Sequence, residues 1–213
     1  LVPALCGAAF GILTWSVLAG RGLAGFDQDV ERAVAGHRVG WATTALKMLT
    51  GLGSSAVLWP VIGVMALLLL ARGRRWREAV FLISALAGSV LLSDVLKRLV
   101  DRPRPPASVR LVHVTGTAYP SGHVMDATAA YAALVLVLSV GWSMKARSIL
   151  FSSAALVVLV VGWSQIYLGT HWLTDVLGGY ALGELLVVVL AAALLRPAAA
   201  PARTGPYPPD RDP

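Results

Sequence analysis

Four stretches of this chain carry no Asp, Glu, Lys or Arg over a length that could cross a bilayer: Pro3–Gly20, Met48–Ala71, Ala127–Met144 and Ser148–Thr170. Wound as helix at 1.5 Å per residue, each reaches roughly 27 Å or more, against a hydrocarbon core of about 30 Å. Two further runs are nearly clean. Ala79–Ser93 leads into Asp94 and Lys97, and Val176–Leu195 is interrupted only by Glu184. Backbone inside lipid has to satisfy its own hydrogen bonds, so runs of this kind are helices. The pattern predicts an all-α polytopic membrane protein with six transmembrane helices. No basic segment precedes the first run and no small-x-small site follows it, so it is read as a helix rather than a cleaved leader.

Charge sets the expected topology. The net charge of +7 does not point to nucleic acid, because the cations sit in short connectors between apolar runs. "ARGRRWR" (71–77) and "MKAR" (144–147) lie two spans apart and belong in the cytoplasm by the positive-inside tendency. Both termini then fall inside as well. Residues 1–197 form one membrane domain on this reading. Residues 198–213 ("AAAPARTGPYPPDRDP") form a Pro-rich tail expected to be disordered. The single cysteine, Cys6, excludes an intramolecular disulfide and a cysteine metal cluster, and is expected to be a small buried residue. Phe26, Val30 and Val34 recur every four residues and predict a short amphipathic helix at the outer interface, a lid or packing element.

Three outer segments carry polar residues unusual at a membrane boundary. "KRLVDRPRPPASVR" (97–110) clusters Lys97, Arg98, Arg102, Arg104 and Arg110 on a backbone stiffened by Pro103, Pro105 and Pro106, which suits guanidinium groups to holding an oxyanion. "YPSGHVMDA" (119–127) opens an apolar run. Pro120 and Ser121 are helix-start residues, and Gly122 and His123 would lie where free N–H groups and the positive dipole end attract an anion. In "WSQIYLGTHWLTDVLGG" (163–179), His171 and Asp175 are four apart, a spacing that lets a carboxylate orient an imidazole.

Together these segments resemble the signature of the type 2 phosphatidic acid phosphatase (PAP2) superfamily. The family's K-x6-R-P matches Lys97, Arg104 and Pro105; its P-S-G-H matches Pro120–His123; its S-R-x5-H-x3-D matches Ser164–Asp175 except at Gln165, where the family has arginine. The resemblance implies a PAP2-like helical bundle that hydrolyses a phosphomonoester or diphosphate of a lipid, polyprenyl or phospholipid, at the extracytoplasmic face of the plasma membrane. It implies a phosphohistidine intermediate, with no metal and no cofactor. His171 would be the nucleophile, Asp175 its orienter, and His123 the proton donor to the leaving oxygen. Lys97, Arg104, Ser121, Gly122 and Gln165 would bind phosphate.

The neutral Gln165 admits three explanations: weaker catalysis, compensation by Arg98, Arg102 or Arg110, or a different phosphate ligand. The corresponding alternative function is a lipid-phosphate binder or transporter without catalysis. A haloperoxidase using the same pocket is disfavoured by the six spans. Outside the motifs, Glu184 lies within a span, Asp126 lies one turn below His123, and Gly179 and Gly183 form a small-x3-small pair suited to close helix packing.

Overall fold

The computed structural model describes residues 1–73 and 75–195. The expected tail at 198–213 lies outside the described residues, as does Arg74 of the first basic connector. Among the described residues there are eight α-helices, some 3₁₀ turns and no strand. They are α1 (Val2–Ala19), α2 (Asp27–Gly36), α3 (Gly40–Leu49), α4 (Ser55–Ala71), α5 (Trp76–Val100), α6 (Gly122–Leu138), α7 (Met144–Tyr167) and α8 (Leu173–Leu194).

Length and composition suit α1, α5, α7 and α8 to crossing a membrane, and α3 with α4 makes a fifth candidate if the bent pair counts as one span. The expected second run, Met48–Ala71, is broken. A 3₁₀ turn at Thr50–Gly53 and an extended Ser54 separate α3 from α4, and the two are bent by 44°. "TGLGSS" supplies the reason, since two glycines and two serines in six residues weaken helix. The turn also packs tightly: a side chain on Gly53 would sit 2.8 Å from the His123 carbonyl oxygen.

The fourth expected span, Ala127–Met144, corresponds to α6 (Gly122–Leu138), only 17 residues long and shorter than the other candidates. Its position accounts for the length. Val124, Met125, Ala127, Ala129, Ala130 and Ala133 are fully buried, and α4, α5, α7 and α8 surround it. A helix apolar on all sides and wrapped by protein need not match the bilayer's thickness. Helix α8 approaches α6 closely. A side chain on Gly179 would lie 2.9 Å from the Ser121 carbonyl oxygen, and one on Gly183 would lie 2.9 Å from Thr128 Cβ. The small-x3-small pair therefore sets the spacing between the helices that carry His123 and Asp175.

On the other side of α8 lies α1. It ends at Gly20, whose left-handed φ of 62° a residue without Cβ adopts freely. Thr14 of α1 shares a 2.9 Å hydrogen bond with the Tyr119 hydroxyl. Cys6 is only half-buried and lines an apolar groove between α1 and α8. The interfacial helix is present as α2, but Phe26 is 60% exposed and only Val34 of the apolar triplet is buried. What α2 chiefly buries is the carboxylate at its start, Asp27.

Candidate active site

Helix α5 ends at Asp101, a left-handed residue (φ 45°), which an Asp tolerates better than most side chains. That turn folds the following segment back over the bundle, where backbone bonds tie the three polar segments together. Thr117 Oγ1 donates to the Lys97 carbonyl (3.0 Å) and Ala118 N to the Arg102 carbonyl (2.8 Å). Ser121 N donates to the Asp175 carbonyl (3.0 Å), and Leu111 N to the Leu168 carbonyl (2.9 Å). The Trp172 indole donates to the Pro103 carbonyl (2.9 Å). Arg38, which precedes α3, grips the Tyr167 and Val109 carbonyls from outside (2.8 and 2.7 Å).

His171 itself lies outside the helices. It precedes α8, whose N-cap is Trp172, and Asp175 stands in the helix's first turn. Asp175 Oδ2 accepts from Trp172 N (2.9 Å) and lies 3.3 Å from His171 Nδ1, so the carboxylate caps the helix and orients the imidazole at once. Its Oδ1 accepts from Arg102. With Nδ1–H donated to Asp175, the Nε2 lone pair faces outward, and the Arg104 guanidinium donates to it at 3.0 Å. The same Arg104 nitrogen donates to the Thr170 carbonyl (2.7 Å), and its Nε to the Gly116 carbonyl (3.0 Å). Burial pushes the His171 imidazole below its ordinary value of 6.5. The hydrogen bond and charge of Asp175 oppose that shift, while Arg104 and Lys97 add to it. Neutral imidazole is the favoured form at neutral pH.

The N-terminus of α6 forms the facing wall. Ser121 is its N-cap, yet the Ser121 hydroxyl does not cap; it is fully buried and has no hydrogen-bond partner among the described residues. A side chain on Gly122 would lie 3.0 Å from Lys97 Nζ and 3.2 Å from Ser93 Oγ, so lysine and hydroxyl lean over bare backbone. Ser93 Oγ is likewise buried and unpartnered. The half-exposed His123 feels the charges of His171, Lys97 and Arg104. Two unpartnered hydroxyls and Lys97 thus lie at the open first turn of α6, donors of the kind that suit an oxyanion.

The Gln165 side chain is engaged by neighbouring hydroxyls. Its amide donates to Thr50 Oγ1 (2.5 Å) and accepts from Thr170 Oγ1 (2.7 Å), while its backbone carbonyl accepts from His171 N (3.3 Å). The residue anchors the loop before His171 to the bend between α3 and α4. Of the three cations that might replace the missing charge, Arg98 is exposed and Arg102 is engaged by two carboxylates. Arg110 spends one nitrogen on the Val114 carbonyl (3.1 Å) and adds its charge beside Arg104. Asp126 is not the cap of α6; it accepts from Ser89 (2.7 Å) and Ser55 (2.9 Å), pinning α6 to α5 and α4. Glu184 is half-buried, on α8, with no side-chain hydrogen bond among the described residues. Asp27, Ser93 and Thr50 escaped the sequence reading.

The family model described as the PAP2 superfamily matches residues 78–197. Phosphatidylglycerophosphatase B of Bacillus subtilis (strain 168) is 32% identical over 162 residues, 75% of this chain and 79% of that protein. An undecaprenyl-diphosphatase of Sulfolobus acidocaldarius is 24% identical over 165 residues, covering 75% and 74% of the two chains. Among solved structures, the transmembrane PAP2-type phosphatidylglycerolphosphate phosphatase of Bacillus subtilis superposes with a TM-score of 0.81 at 29% identity, covering 90% of this chain and 94% of that one.

Proposed function

The chain belongs to the PAP2 superfamily of lipid phosphatases, and from that premise we propose that it removes phosphate from a membrane lipid phosphomonoester through a phosphohistidine on His171. One observation carries the reading: a buried histidine whose Nδ1 faces a carboxylate and whose Nε2 faces a guanidinium, beside the open N-terminus of α6. The monoester is favoured because two cations, Lys97 and Arg104, match the two negative charges of such a group. The 32% identical relative also bears the name of a phosphatidylglycerophosphatase.

In the proposed cycle the phosphate oxygens draw Arg104 away from Nε2 and settle on Lys97, Arg104, Ser121 Oγ and the Gly122 N–H. Nε2 attacks phosphorus, and the bond to the lipid oxygen breaks as His123 gives that oxygen a proton. Water then attacks the phosphohistidine, passes its proton to His123, and frees inorganic phosphate with Nε2 restored. Catalysis here is positioning and charge neutralisation, which the paired cations supply. We take α6 as the sixth crossing and the site as extracytoplasmic, opposite the basic connectors.

Among the described residues no three His, Cys, Asp or Glu side chains gather as a metal cage. Phosphate release from a panel of phospholipid and polyprenyl mono- and diphosphates should therefore persist in excess EDTA and be inhibited by vanadate. Loss of activity on chelation overturns the metal-free cycle, and binding without release assigns a carrier instead. A second expectation concerns Gln165. Gln165→Arg introduces the family's charge but removes the acceptor for the Thr170 hydroxyl and puts a longer side chain in place of the one that reaches Thr50, so kcat should not rise. A kcat several-fold above the parent would show that missing charge, rather than loop anchorage, limits turnover.

A further inference from the structure

The family match starts at residue 78, yet the hydrogen-bond chain behind His171 ends far upstream of it. Asp27, the first residue of α2, is 2% exposed. Its Oδ1 accepts from Thr174 N at 3.0 Å, and its Oδ2 accepts from Thr174 Oγ1 and Arg102 Nη2, both at 2.6 Å. The other guanidinium nitrogen, Nη1, donates to Asp175 Oδ1 and, at 2.8 Å, to Thr174 Oγ1. One fork thus joins two buried carboxylates, and the second carboxylate is the one that faces His171 Nδ1.

We propose that Asp27 is a positioning residue that acts on His171 through Arg102 and Asp175, holding the guanidinium in place and cancelling its charge. The reasoning is a matter of charge. Asp175 alone would present −1 to the imidazole, but Arg102 against it brings the pair to zero. Asp27 returns the cluster to −1, so the carboxylate still supports an imidazole that becomes more positive as Nε2 bonds to phosphorus. The other groups facing His171 are Arg104 from the proline-rich loop, Lys97 from α5 and His123 from α6, none of them negative. A negative charge relayed from α2 therefore opposes the cations that bind substrate.

This inference rests on the phosphohistidine reading, and its test keeps the two separable. Asp27→Asn retains an oxygen for Thr174 N and changes the cluster charge from −1 to zero. The expected result is a fall in kcat of roughly 10-fold with KM unchanged, and an acid limb of the kcat/KM–pH profile displaced to lower pH. Arg102→Gln changes the charge the other way, and its acid limb should move to higher pH. Displacements of opposite sign cannot come from loosened packing, which lowers amplitude without moving the limb. Each variant is checked for vanadate binding, and if Asp27→Asn fails to fold, the direction of the Arg102→Gln shift alone decides. Unmoved limbs, or limbs moving the same way, overturn the proposal. Should His171→Ala keep its turnover, the phosphohistidine itself fails; if it is silent while the limbs stay put, only the role of Asp27 is lost.

Discussion

His171→Ala should lower phosphate release by on the order of 10³-fold or more, while vanadate and lipid phosphate still bind. The alanine removes Nε2 and with it the phosphorus–nitrogen bond, but leaves Lys97, the Ser121 hydroxyl and the helix start that would hold the oxyanion. Single-turnover quenching of the parent enzyme should trap acid-labile phosphate on the protein, and the variant should trap none. The same residue fixes the pH profile. In the proposed cycle His171 attacks only when neutral, and burial, reinforced by Arg104 and Lys97 against the pull of Asp175, holds its protonation below 6.5. Activity should therefore be maintained as pH falls to 6.5 and decline only in more acid solution. Full turnover by His171→Ala, or an acid limb well above 6.5, would show that another group attacks.

Arg104→Ala should cost kcat/KM about 10²–10³-fold, with KM raised. Three functions vanish together. One is the cation proposed for the phosphoryl oxygens. Another is the donor that occupies Nε2 before substrate arrives, 3.0 Å away. The last is the pair of bonds to the Thr170 and Gly116 carbonyls, which hold the loop bearing His171 against the proline-rich segment. Arg104→Lys should recover only part of the loss, because an ammonium replaces the charge but cannot span both carbonyls and the substrate in one planar fork. Steady-state kinetics in detergent–lipid micelles separates the cases, and an Arg104→Lys variant equal to the parent would reduce the residue to a point charge.

Helices α1, α5, α7 and α8 were legible because hydropathy is a sum over many residues and tolerates local exceptions. The break at Thr50–Gly53 was also written in the sequence, as "TGLGSS", but the apolar residues around it masked the signal. Asp27 was hidden for a different reason. Acidic residues in the first turn of a helix are ordinary partners of its dipole, and nothing local separates Asp27 from Asp29, which pairs with Arg32 at the surface. Only contact with Thr174, 147 residues further on, gives Asp27 its meaning. Ser93 passed as one small polar residue at the end of an apolar run; its position relative to Gly122 is a property of two packed helices. The departure at Gln165 could be read directly, whereas its partners Thr50 and Thr170 could not, since side-chain pairing across α7 and the α3–α4 bend leaves no trace in spacing.

The bonds that hold the candidate site run between loops and helix starts: Leu111 to Leu168, Ala118 to Arg102, Ser121 to Asp175, Trp172 to Pro103. None begins at the outward apolar side chains, such as Leu67, Leu156, Leu159 and Val189, which are exposed along the helices below. On the proposed function, headgroup chemistry and hydrocarbon contact would fall to separate sets of positions. A lineage built on that plan could trade one greasy anchor for another by editing only the residues proposed to meet acyl or prenyl chains, leaving the collar above them unchanged.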